Sequence, residues 1–88
     1  LCQNSPNPFN PYTGISYDLP KPGHVRLEIF NVLGQNVKTL VNDFREAGTQ
    51  TVIWDGTDNS GSSVASGIYF YRISTGDFSA SKKMMMLK

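Results

Sequence analysis

A chain of 88 residues, 39% hydrophobic and 17% charged, has the size and composition of one small folded domain, which excludes intrinsic disorder. Eight basic and seven acidic residues leave a formal charge of +1, and no basic run exceeds Lys82–Lys83, which excludes a nucleic-acid surface. No stretch approaches the ~18 apolar residues of a membrane span, and the single cysteine, Cys2, closes no intrachain disulfide.

Residues 1–11, "LCQNSPNPFNP", read as a proline-rich linker or first edge. Pro6, Pro8 and Pro11 each lack the N–H that a helix or a central strand needs, so the segment is expected to be extended. Phe9 is then expected to pin it to apolar surface near the first strand. A linker at the start, with no apolar signal segment before Cys2, marks the chain as the expected tail of a longer protein.

Ile15, Tyr17 and Leu19 alternate with Ser16 and Asp18, and Pro22-Gly23 suits the centre of a type II turn. Val25, Leu27 and Ile29 alternate with His24, Arg26 and Glu28 in a second half-buried strand. Residues 31–36, "NVLGQN", reverse the chain, with Gly34 free to take positive φ. A third strand spans 37–41, where adjacent Leu40 and Val41 suggest a bulge. Residues 42–48, "NDFREAG", read as a loop or a single turn. Val52 and Trp54 give the inward face of the next strand, and the polar, glycine-studded stretch 55–67 contains a short strand around Val64. Tyr69, Tyr71 and Ile73 alternate with Ile68, Phe70 and Arg72; a tight turn at 75–77 then leads into a last strand over 78–87. About seven short strands without a helix predict an all-β, immunoglobulin-like antiparallel β-sandwich over residues 12–88. Val52, Trp54, Leu27, Ile29, Tyr69 and Tyr71 are expected to share its core.

Residues that could carry chemistry are few. His24 is the only histidine, on the polar face of its strand, and Cys2 lies in the leader far along the chain, so no nucleophile–base pair is expected. Asp55, Asp58 and Asn59 in "WDGTDNSG" could offer oxygen ligands to calcium. The EF-hand spacing fails, however, since Ser60 and Ser66 stand where glycine and glutamate are required. These residues read instead as turn formers bonded to local amides. Tyr12, Trp54, Tyr69 and Tyr71 could stack on sugars, but three of them alternate within strands, where core packing is the commoner use. The expectation is a domain without enzymatic activity, cofactor or metal.

The motifs "NPFNP" (Asn7, Pro8, Phe9, Asn10, Pro11), "YDLP" (Tyr17 to Pro20), "VLGQNVKTL" around Gly34, "WDGTDNSG" with Trp54, Asp55 and Gly56, "VASGIYFY" with Gly67, Tyr69 and Tyr71, and the terminal "KKMMMLK" follow one another in order. Together they resemble the type A C-terminal sorting domain of type IX secretion substrates, from Gln3 almost to the end. The middle part is similar to the immunoglobulin-like domain of the flagellar hook-capping protein FlgD. "MMM" at 84–86 is richer in methionine than the resemblance leads one to expect, though methionine still fills a strand position.

The resemblance implies a non-catalytic domain at the end of a larger cargo protein, exported through the periplasm to the cell surface or medium. It also implies a PorV-like outer-membrane shuttle and a PorU-like sortase as partners. The other readings are a structural immunoglobulin-like module of a filament, adhesin or FlgD-like cap, and a sugar-binding accessory domain. The tail, Lys82, Lys83, Met84, Met85, Met86, Leu87 and Lys88, is expected to be the recognition element. Phe78, Ala80, Met84 and Met86 fall on one of its faces and Met85 and Leu87 on the other, so both carry apolar surface.

Overall fold

The computed structural model describes residues 1–5, 12–76 and 78–87. Strand β1 (Thr13–Leu19) pairs antiparallel with β4 (Gly48–Trp54). The second sheet has the order β3 (Asn36–Arg45), β2 (Gly23–Phe30), β5 (Gly67–Thr75), β6 (Phe78–Met86), again antiparallel throughout. The two sheets stack as an immunoglobulin-like sandwich because each strand hides one face. Ile15, Tyr17, Leu19 and Trp54 come from the smaller sheet, and Val25, Leu27, Ile29, Val41, Tyr69, Tyr71, Ile73, Met84 and Met86 from the larger. Of the expected core set only Val52 is half-buried, packed against the others.

Four expectations need correction. Gly23 lacks the positive φ that the centre of a type II turn requires, and it begins β2 instead. There are six strands among the described residues, not seven, because Val64 lies outside any strand, next to an isolated bridge between Thr57 and Ser63. Residues 42–45 are not a loop: they continue β3, paired in unbroken register with residues 23–26 of β2. This strand lies at a sheet edge and buries only Val41 completely, so backbone pairing holds it without an apolar period. The last strand ends at Met86, with Leu87 beyond it. The bulge is where the residues suggested, since Leu27 faces Val41 while Glu28 faces Thr39, leaving Leu40 unopposed. Asn7, Pro8, Phe9, Asn10, Pro11 and Lys88 lie outside the described residues.

Residues 1–5 run along the outer edge of β1. The Cys2 N–H donates to the Ser16 carbonyl, and Ser5 and Gly14 exchange both backbone bonds. Tyr71 locks this segment down from the opposite sheet. Its hydroxyl accepts from the Asn4 N–H at 2.7 Å and donates to the Cys2 carbonyl at 2.7 Å. Asn4 is buried and its carboxamide donates to Thr13 Oγ1, so the first strand of the smaller sheet is tied to the leader by side chains as well.

Trp54 is fully buried, meets Tyr69 edge to face at 5.4 Å, and donates its indole N–H to the Thr57 carbonyl. Tyr69 in turn donates its hydroxyl to the Ala65 carbonyl four residues upstream, the tyrosine-corner arrangement of such sandwiches. Trp54→Ala therefore removes the largest core side chain, and a loss of ~3–5 kcal/mol is expected, read as a lowered midpoint in denaturant.

The buried tyrosines separate hydrogen bonding from packing. Among the described residues Tyr17 Oη has no hydrogen-bond partner, whereas Tyr71 Oη has two. Tyr71→Phe should cost about 1–3 kcal/mol by stranding the Asn4 amide. Tyr17→Phe should leave stability unchanged or raise it. Equal effects in urea unfolding would contradict the assignment.

Candidate functional site

Polar chemistry in this domain is directed inward, to shaping loops. Asp58 Oδ1 accepts from the Ser60 and Ser62 amides and from the Ser60 hydroxyl, and Asp55 Oδ1 accepts from the Thr57 amide and hydroxyl. The Ser60 hydroxyl first, then the Ser62 amide, hold the Asp58 carboxyl below its ordinary value; the Thr57 hydroxyl is the main cause at Asp55. Asn59 points away from both carboxylates, accepting from the Thr39 amide and donating to Asn36. Gly56 turns the loop through a positive φ of 78° directly after Asp55. The turn-forming reading of these residues accounts for their geometry. His24, on the exposed side of β2, faces Asn42 with its Nε2 at 2.7 Å, while Cys2 sits beside β1.

The expected recognition tail divides by burial. Met84 and Met86 are fully buried core residues, so their side chains offer nothing to a partner. Lys82 is half-buried beside them. Lys83, Met85 (41% exposed) and Leu87 (49% exposed) are the accessible part. The apolar surface on two faces is real, but one face is already spent on the sandwich.

The outer face continues across β5 to the β2–β3 turn. Met85 stands opposite Ile68, Lys83 opposite Phe70, and Phe70 opposite Phe30. The Arg72 guanidinium lies 5.5 Å over the Phe30 ring. Phe30, Val32, Phe70 and Arg72 line a shallow groove of about 260 Å³. Val32 and its neighbour in the turn, Leu33, are 67% and 78% exposed. Their turn is rigid: Gly34 has φ 78°, and Asn31 Oδ1 accepts from the Leu33 and Gln35 amides. "VLG" falls in a chain reversal, and a turn displays its two central side chains. That inference was available from the residues alone. Asn4 was missed for a different reason, since its partner Tyr71 lies 67 residues away. Of the remaining motif residues, Gly67 has positive φ at the start of β5. Trp54, Tyr69 and Tyr71 are core residues and present no ring to a sugar.

The family model of the FlgD Ig-like domain matches residues 11–77, and the chain belongs to that family. No curated protein matches it in sequence. Three solved structures are similar. FlgD from Xanthomonas campestris, described in terms of the hook capping essential for flagellar assembly, is 28% identical with a TM-score of 0.67, covering 90% of this chain and 58% of its own. FlgD from P. aeruginosa is 23% identical, TM-score 0.67, covering 84% and 58%. Dimeric latent PorU from Porphyromonas gingivalis is 20% identical, TM-score 0.77, covering 97% of this chain and 9% of its own. The chain thus spans little more than half of the FlgD proteins and a small part of PorU.

Acid should loosen the 55–62 loop. Both carboxyls are depressed in the folded state, so their stabilisation is whole above about pH 4 and is lost as pH falls through the native values. Asp58→Asn keeps the accepting oxygen without the titration and should flatten the acid limb followed by Trp54 fluorescence. An unchanged limb would show that this carboxylate is not coupled to folding.

Proposed function

We propose that this domain is a non-catalytic sorting module that directs a larger cargo protein through the type IX secretion system, to the cell surface or medium. The observation that carries the reading is the reach of the PorU likeness. At 97% coverage the PorU alignment leaves out only about three of 88 residues, against about nine for the Xanthomonas campestris FlgD, and it superposes better, at a TM-score of 0.77 against 0.67. β6 is an edge strand, and its exposed Lys83 and Met85, with Leu87 just beyond, are an accessible signal next to the groove at Phe30 and Phe70. A PorV-like shuttle and a PorU-like sortase are the proposed partners. The domain would act through this surface alone, with no cofactor.

The second reading is a structural module of a FlgD-like cap or surface filament. Membership of the FlgD Ig-like family and the 28% identity to the Xanthomonas campestris protein favour it.

A reporter fused ahead of residues 1–88 separates the two. In a type IX-competent host the intact fusion should reach the surface, and a Lys83→Glu, Met85→Ser, Leu87→Ser variant should stay in the periplasm. Deleting Met86 is avoided because it would remove a core side chain. Circular dichroism checks that the variant folds. Equal surface delivery by the folded variant would refute the tail as signal, and no delivery by the intact fusion would favour the structural module.

A further inference from the structure

The outer face of the larger sheet carries positive charge that its own acid does not neutralise. Glu28 is the only acidic residue of β2, β5 and β6, and Arg72 stands directly opposite it in register. Both Glu28 oxygens are already taken, Oε1 by Arg26 at 3.3 Å and Oε2 by the Asn36 carboxamide at 2.9 Å. The Arg72 guanidinium lies instead over the Phe30 ring and lines the groove beside Phe30, Val32, Phe70 and Ser81. Ser81 faces Arg72 and Lys83 faces Phe70, so the two exposed cations are diagonal neighbours, roughly 7–8 Å apart between β-carbons. Side chains of that length converge easily, and one carboxylate can meet both.

The groove itself is small. At about 260 Å³ it falls below the roughly 300–1,000 Å³ of a small-molecule site, and it suits one large side chain. It is a local recess with Ser81 and Asn31 in its wall, where a membrane surface would be met by a broad apolar plane ringed with cations. Its mouth is held in shape, because the Asn31 carboxamide accepts from the Leu33 and Gln35 amides.

We infer that this groove binds an extended acidic segment of a partner protein. The segment sets one aromatic or aliphatic side chain among Phe30, Val32 and Phe70, and a carboxylate between Arg72 and Lys83. Charge complementarity selects the acid, and the aromatic lining selects its apolar neighbour. In an extended segment residues i and i+2 share a side, so an acid two residues from an aromatic meets both demands. The inference rests on the reading of the exposed tail as an accessible signal, and it names the chemistry that would read it.

Nuclear magnetic resonance titration of the isotope-labelled 88-residue chain tests this with the capped peptide Ser-Glu-Thr-Phe-Ser. The peptide should shift the amides of Phe30, Val32, Phe70, Arg72 and Lys83. Replacing its glutamate by lysine should weaken binding roughly tenfold, since two exposed ion pairs are lost. Arg72→Gln should weaken it several-fold with Trp54 fluorescence unchanged. Because Arg72 also packs on Phe30, the exposed Lys83→Gln serves as a second variant if the first misfolds. Phosphatidylglycerol vesicles and the concentrated chain alone are the other arms. No shift at these amides, or equal binding of the lysine peptide, would overturn the inference. Tighter binding to the vesicles, or the same shifts on concentrating the chain, would overturn it in favour of a lipid surface or a second copy. The titration needs no secretion host, so binding without surface delivery refutes only the sorting role, and delivery without binding refutes only the acidic segment.

Discussion

Trp54 must be covered from several directions at once, and most of the fold follows from how that is done. The indole ends a strand in a sheet only two strands wide, which cannot bury it unaided. The four-stranded sheet supplies Tyr69 edge to face, and the following loop turns back so that the Thr57 carbonyl receives the indole N–H. That turn places Asp58 and Asn59 where they can build the loop and cap β3. The "WDG.D..G" motif is thus an architectural device. Its carboxylates serve amides and hydroxyls of their own loop, and this accounts for acidic residues at a position that would otherwise invite a metal.

The apolar surface left over is unevenly placed. Small sandwiches bury a modest share of their surface, so scattered exposed apolar side chains carry no message. Here Val32 and Leu33 sit on a turn stapled by Asn31, beside Phe30, Phe70 and Met85 on one sheet face. Rigid display lowers the entropy lost on docking. Glu28, the one buried acid on β2, is occupied by Arg26 and Asn36, which leaves Arg72 and Lys83 to set the charge of the face.

Strands with strict alternation were legible from the residues alone. β1, β2 and β5 put one residue in two into the core, and the period shows in the sequence. β3 was legible only as far as Val41, because beyond it the chain is held by backbone bonds to β2, to which side-chain identity is nearly indifferent. The two-sided apolarity of the tail was visible, yet nothing local says that Met84 and Met86 face inward while Met85 does not. That choice is made by pairing with Tyr69 and Gly67. The leader's anchorage was illegible for a related reason. Asn4 is an unremarkable polar residue until the fold brings Tyr71 and Thr13 to it.

Chain connectivity gives the sandwich an order of assembly. β2–β3 and β5–β6 are hairpins between neighbours in sequence, the kind of unit that forms in microseconds. β1 meets β4 only across the whole β2–β3 hairpin, and Gln3 reaches Lys83 across 80 residues. Loop closure must be achieved before such contacts return any energy, so they form late and slow the overall rate. The two hairpins, with β6 already paired to β5 in one of them, therefore precede the pairings that join them, since β2 reaches β5 (Arg26 to Ser74) across an even longer stretch than β1 reaches β4 (Thr13 to Trp54). A chain caught part-way would display the tail strand in register while its inner methionines were still uncovered, and residues 1–5 would be the latch that closes last.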